Sequence, residues 1–181
     1  MKKLWQKLKS KVVHKNSFFK IRVDDVIAPN GFKTKYFYVD KTGKSVSIIA
    51  EDKNGKIYLV GQTKYPAGNI YSWEIVAGGG EGKESALQSA KRELREETGL
   101  IAKKWISLGY YYPSGGTSSQ TTYIYLAKDL KIAPAQPDST ELIAIRKETL
   151  KNIIKMIKSN KITDGYTIIA IYKYLLYKNK I

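Results

Sequence analysis

Residues 78–100 read GGGEGKESALQSAKRELREETGL, and the rest of the chain is arranged around them. Three glycines, Gly78 to Gly80, open the stretch. A helix follows from about Glu84 to Thr98 and stops at Gly99, a residue suited to a left-handed C-cap. Ala86, Ala90 and Leu94 form its inward stripe, and the alanines allow close approach to a sheet. Glu93, Glu96 and Glu97 are related by i,i+3 and i,i+4 steps, so all three carboxylates project from one side of the helix. Like charges this close repel by roughly a few tenths of a kcal/mol per pair on an exposed helix. Such a cluster is comfortable only when highly solvated or when a divalent cation neutralises it. Carboxylate oxygens suit Mg²⁺ or Mn²⁺.

On the N-terminal side, WEIVAG (73–78) reads as one short strand running into the glycines, and Pro66 to Asn69 as a loop before it. SVSIIAED (45–52) reads as a buried strand, Asn54-Gly55 as a hairpin turn and KIYLVGQTKY (56–65) as the partner strand. Phe18 to Ile27 and Lys35 to Val39 alternate apolar and polar residues around Pro29-Asn30-Gly31, which predicts a β-hairpin or small sheet. Residues 1–15 carry Leu4, Leu8 and Val12 at helical spacing among lysines. They suggest either a membrane-surface helix or a partly ordered arm that docks Trp5 on an apolar surface.

After the helix, WISLGYYYPS (105–114) is a strand entering a loop, Gly115 to Ser119 a polar loop and TTYIYLAKDL (121–130) a further strand. A Pro-containing connection leads to a last strand, ELIAIR (141–146). Helices over 147–159 and 163–177 finish the chain, the second with Thr163-Asp164 as its cap. This order predicts an α/β (α+β) fold: a mixed β-sheet sandwiched between helices, with an N-terminal β-hairpin or small sheet. Residues 1–44 form the N-terminal arm and small antiparallel sheet, and residues 45–181 the main domain.

The chain has 181 residues, enough for one domain with a small appendage. It has no cysteine, which excludes disulfides, thiolate zinc sites and a cysteine nucleophile, and fits a cytoplasmic protein. No apolar run is long enough to span a membrane, and the basic N-terminus lacks the apolar core of a signal peptide. The net charge of +16 attracts anions such as nucleotides or nucleic acid, although a scattered lysine surface is the plainer meaning of it. The single histidine, His14, sits in a basic segment and is a poor candidate for a ligand or base.

Gly78, Glu84, Arg92, Glu93, Glu96, Glu97 and Gly99, with apolar Leu94 and Leu100, resemble the Nudix box at its full spacing. Seven fixed positions at roughly 7% each recur by chance on the order of 10⁻⁸ per starting point. The resemblance implies the Nudix fold and hydrolysis of a nucleoside diphosphate linked to another moiety. It implies that Glu93 and Glu97 are metal ligands, and that Glu96 is a third ligand or a water-orienting base. Arg92 would hold a glutamate in place, Ala77 would offer its backbone carbonyl to the metal, and Glu84 would be structural.

The flanks resemble the ADP-ribose pyrophosphatase branch. GQTKYPAGNIYSWEIVAGGG (61–80) is similar to its segment before the box, with Lys64 where arginine is common and Val76 where proline is common. YYPSGGTSSQTTYIYLA (111–127) and DGYTIIAIYKYLL (164–176) resemble its later strand and terminal helix. The N-terminal hairpin resembles the small sheet through which that branch dimerises, which implies a homodimer. One departure stands out. The loop usually carries a glutamate, and here it reads Ser118-Ser119-Gln120. Gln120 can orient water but cannot take a proton, which leaves Glu96 or Glu141 as the candidate base.

Lys64 is a candidate for a phosphate and Glu74 for a ribose or base. Trp5 could stack on a base across the dimer, Tyr110 to Tyr112 offer further rings, and Trp73 fits a pocket or the core. The resemblance implies an Mg²⁺- or Mn²⁺-dependent pyrophosphatase acting on ADP-ribose or a nucleotide sugar, with AMP and ribose 5-phosphate as products from ADP-ribose. The alternatives are an RNA 5′-end or dinucleoside polyphosphate hydrolase, which the charge suggests and the flanks do not, and a non-catalytic nucleotide-sensing module. No membrane partner is expected.

Overall fold

The lysine- and valine-rich N-terminus pairs as a strand and does not coil. In the computed structural model, which describes residues 4–41, 43–133 and 144–179, β1 (Gln6–Lys15), β2 (Phe19–Ile27) and β3 (Lys33–Lys41) form an antiparallel three-stranded sheet in that order. The expected helix or arm is therefore a strand, exposed along its whole length. Leu4, Leu8 and Val12 are four apart, which fits a helical face but also one face of a strand, because every second residue points the same way. Asn16 makes the first turn by accepting from the N–H groups of Phe18 and Phe19, both at 2.9 Å. Arg22 ties β2 to β3 through Asp40 and to β1 through Ser10 at 3.2 Å. Chain contacts place residues 112–121 in this same unit, where Val39 donates to Thr117 at 2.9 Å and accepts from Ser119 at 3.0 Å.

The second unit comprises residues 43–111 and 122 onward. Its four-stranded sheet has the order β7 (Val76–Gly79), β4 (Ser45–Ala50), β9 (Thr122–Ile132), β8 (Leu100–Tyr111). Only β4 and β9 run parallel, so the sheet is mixed. A three-stranded antiparallel sheet has the order β10 (Ala144–Thr149), β5 (Lys56–Lys64), β6 (Ile70–Glu74).

This division corrects two expectations. The turn at Asn54-Gly55 forms, closed by Asp52 accepting from Asn54 and Lys56 at 2.9 and 3.0 Å. But among the described residues β4 and β5 are bridged as strands only between Glu51 and Ile57, then diverge into different sheets. WEIVAG is likewise two strands, β6 and β7, broken at Ile75. There the Ile75 N–H leaves the ladder and donates to the Thr167 hydroxyl at 3.1 Å. The last strand starts at Ala144 among the described residues, and Glu141 lies outside them.

Helix α1 (Ala86–Thr98) is closed by a reciprocal box between Ser85 and Gln88 and by Gly99 at φ 65°. Glu84 therefore precedes the helix and does not start it. Helices α2 (Leu150–Lys158) and α3 (Gly165–Tyr177) are capped by Thr149 and Asp164. The first begins three residues later than its pattern suggests, because residues 147–149 are claimed by β10.

Period-two alternation along the strands gives the unit two cores. Val46, Ile48 and Ala50 of β4 meet Ala86, Ala90 and Leu94 of α1. Ile49 faces the other way, with Ile153 of α2 and Ile171 of α3. Strands thus lie between helices. Replacing the fully buried Leu94 by alanine is expected to cost about 2–5 kcal/mol in urea unfolding. A loss under about 1 kcal/mol would show that α1 is not anchored by this stripe.

Candidate active site

The Nudix-type stretch folds as a strand end, a glycine turn and a helix that returns over the strand. β7 pairs with β4 through Ala77 opposite Ser47 and Gly78 opposite Val46. Gly80 closes the turn by donating to the Lys44 carbonyl at 2.8 Å. α1 then brings Glu93 back onto Gly78. A Cβ on Gly78 would fall on the Glu93 carboxyl group, so only glycine leaves room for that carboxylate against the strand.

Arg92 is the centre of the cluster. Its Nη1 meets Glu96 at 2.7 Å, its Nε meets Glu84 at 3.2 Å, and its Nη2 meets Glu93 at 3.1 Å. Nη2 also donates to the Gly79 carbonyl at 2.6 Å, which fastens the helix to the strand end. Burial works against the guanidinium charge, but the bonds to Glu84 and the charges of Glu93 and Glu96 outweigh it and raise its pKa. Glu84 accepts from the Glu81 N–H and from Ser89, each at 3.0 Å. The backbone bond first and Arg92 second hold its carboxyl below the usual range. Glu97 is buried at 8% exposure on the strand side of the helix.

A family model for the NUDIX domain matches residues 41–166, and one for the nucleoside diphosphate sugar hydrolase N-terminal domain matches residues 5–39. The chain belongs to the Nudix hydrolase family. An ADP-ribose pyrophosphatase of Bacillus subtilis (strain 168) is 32% identical over 178 residues, covering 94% of this chain and 95% of that protein. A methanol dehydrogenase activator of Bacillus methanolicus is 33% identical over 166 residues, covering 91% of this chain and 89% of that protein. The crystal structure of an ADP compounds hydrolase aligns with a TM-score of 0.84 over 98% of this chain and 97% of that one. At 18% identity that likeness shows the shared fold. The chain is a Nudix pyrophosphohydrolase, resembling the ADP-ribose pyrophosphatase branch.

Nudix hydrolases generally use divalent metal ions. The donors here are all oxygen and suit a hard cation. Gly78 leaves a cradle for one of them, Glu93. Among the described residues, however, no three such side chains are gathered into a metal cluster. The reason is visible: Glu93 and Glu96 both lean on Arg92, which supplies the neutralising charge.

Two other sequence candidates are brought together. Lys64, at the end of β5, pairs with Glu74, at the end of β6, at 3.0 Å. Glu74 is only 3% exposed, so it is not the exposed strand residue its sequence allows. Burial pushes its carboxyl above the usual glutamate range, and the nearby Asp164 charge adds to this, while Lys64 opposes without cancelling. Trp5 and Gln120 both lie in the first unit, Trp5 edge-on to Tyr36 at 5.4 Å and Gln120 donating its N–H to Ser118 at 3.1 Å. Sequence reading missed the Gly79 carbonyl and Ser89 as partners in the cluster. A backbone acceptor leaves no sequence signal, and a serine inside a helix looks like surface.

Two outcomes test this geometry. Gly78→Ala displaces the mobile end of Glu93, so stability should change by about 1 kcal/mol or less while turnover falls on the order of 10²-fold. Equal turnover in assays beside wild type would remove Glu93 from the site. Glu74 binds its proton more tightly when folded, so its contribution to stability is full at acid pH and is lost as pH rises through the raised folded pKa. Glu74→Gln should therefore gain stability relative to wild type as pH rises from about 4 to 8. A Tm difference that does not change with pH would contradict it.

Proposed function

We propose that this hydrolase cleaves the pyrophosphate bond of ADP-ribose or a related nucleotide sugar, giving a nucleoside monophosphate and a sugar phosphate. The observation that carries the substrate class is similarity along nearly the whole chain to an ADP-ribose pyrophosphatase, with the box intact inside it. The match of residues 5–39 to a nucleoside diphosphate sugar hydrolase N-terminal domain supports the same class.

When bound, Mg²⁺ or Mn²⁺ would neutralise the pyrophosphate oxygens and lower the pKa of a coordinated water. Glu93, Glu97 and the Ala77 carbonyl would hold it, with Glu96 as third ligand or base. Water oxygen bonds to one phosphorus, the bridging P–O bond breaks toward the leaving phosphate, and the water proton passes to a carboxylate. Glu96 suits that task because it is half-buried at the rim and held in orientation by Arg92. Gln120 contributes hydrogen bonds only. Lys64 meets a substrate phosphate as a point charge and keeps Glu74 in position. Trp5, Tyr36 and Tyr38 line a cavity of about 440 Å³ in the N-terminal unit, and it suits a nucleobase.

Residues 1–44 are, in this reading, the pairing surface of a homodimer. The support is the fully exposed β1 with Leu8 and Val13 outward, and Phe37 at 62% exposure on β3.

A second reading, a nucleotide-sensing module that acts on a partner protein, has the methanol dehydrogenase activator in its favour. One experiment separates them: incubate the chain with ADP-ribose, nucleotide sugars, dinucleoside polyphosphates and capped or triphosphorylated RNA, with Mg²⁺ or Mn²⁺, and measure monophosphate release. ADP-ribose or a nucleotide sugar should turn over best, chelator should abolish the release, and Glu97→Gln should lower kcat by several orders of magnitude. Preference for RNA overturns the substrate class, and no turnover of any compound favours the sensing module.

A further inference from the structure

Strand alternation puts Tyr71 and Trp73 on the face of β6 opposite Glu74. That face opens into a cavity of about 440 Å³ walled by β6, β10, α2 and the turn after α2, and no residue lining it belongs to the stretch 78–100. Its aromatic wall accounts for Gly61 on the neighbouring strand. A Cβ there would fall on the Tyr71 hydroxyl and lie 3.0 Å from the Trp73 ring, so β5 gives up a side chain to let two rings lie across it. Tyr71 meets Trp73 edge-on at 5.8 Å, and Tyr71 is half exposed.

Arg146 of β10 lies over the other ring, its guanidinium carbon 4.1 Å from the Trp73 centroid. Stacking satisfies the face of a guanidinium and leaves its in-plane N–H groups for an acceptor. Those donors are poorly used here. One goes to the Met156 sulfur, a weak acceptor, at 2.9 Å. Nε is buried without a hydrogen bond, since Glu148 is at ion-pair distance, 3.4 Å, but outside bonding geometry. The other Glu148 oxygen already accepts from Asn152 at 2.6 Å. Lys161 adds a second, exposed cation to the same lining.

We propose that this cavity is a second ligand site, which takes a nucleoside monophosphate. Among the described lining residues two cations against one carboxylate favour an anion, the planar fork of Arg146 matches two phosphate oxygens, and the exposed face of Tyr71 offers the base a stacking surface. A monophosphate is also the class of product that the proposed reaction releases, and only that link rests on the proposed function.

The test titrates AMP, and separately inorganic phosphate, into the ¹⁵N-labelled full chain with EDTA present, so that no metal-dependent turnover intervenes. The reporter is the indole N–H resonance of Trp73, assigned with Trp73→Phe. AMP should shift it saturably, and at least tenfold more tightly than phosphate does. Arg146→Met should weaken the AMP affinity at least tenfold, and Lys161→Ala about threefold. Should Arg146→Met fail to fold, the exposed Lys161→Ala carries the comparison alone. The site is overturned by the absence of a saturable Trp73 shift, or by variants that bind as wild type does. Equal affinity for phosphate and AMP overturns the base contact. Each result is independent of whether the chain hydrolyses ADP-ribose.

Discussion

The guanidinium of Arg92 is the constraint on which the site depends. Four acids, Glu81, Glu84, Glu93 and Glu96, lie at ion-pair distance from it, and the Gly79 carbonyl accepts a further bond. Acids placed that near one another raise the energy of a helix unless a cation lies among them. A lysine could supply the charge but not the fork that reaches two sides of the helix and the strand end together. The same bonds that settle the repulsion therefore fix where α1 sits on β7, and Gly78 sets how near the two can come. Charge balance and helix placement are one interaction here.

That placement requires a strand that ends where the helix can return, and the divided sheets provide it. β7 runs beside β4 for four residues, Val76 to Gly79, the last two of them glycines, and β4 is held on its other edge by the parallel β9. Releasing β6 at Ile75 lets the same segment serve both sheets, with the Thr167 hydroxyl satisfying the N–H that the break exposes. Thr167 is itself fixed by Asp164, which caps α3 and accepts from both its N–H and its hydroxyl at 2.7 Å. The C-terminal helix thus secures the strand break that positions α1.

Much of this was legible from residue order. The helix, its Gly99 stop, the mixed character of the sheet, the terminal helices and the Asp164 cap follow from periodicity and capping chemistry. The box residues name the family because their spacing is too specific for chance. What stayed hidden has physical causes. A buried strand looks the same whichever sheet it joins, so the parting of β4 from β5 has no pattern of its own. Ile75 is as apolar as its neighbours, so a break there reads as continuity. Leu4, Leu8 and Val12 obey two periodicities at once, and on an exposed strand no burial discriminates between them. Among the site candidates, Lys64 and Glu74 are ten residues apart, and the register sets Lys64 opposite Ile70 and Glu74 opposite Val60, so their ion pair comes from side chains reaching along one face of the sheet, which no sequence pattern shows.

The charge distribution adds a last step. A net charge of +16 draws anions toward the molecule from beyond contact range, within a Debye length of about 8 Å at physiological ionic strength. At the box the excess vanishes, because α1 carries three carboxylates, Glu93, Glu96 and Glu97, against three cations, Lys91, Arg92 and Arg95. A pyrophosphate steered to the surface therefore meets no net attraction at the helix unless further positive charge accompanies it. Arg92 cannot be that charge, since Glu84, Glu96 and the Gly79 carbonyl already engage its donors. An added cation at this helix would supply the attraction that Arg92 cannot.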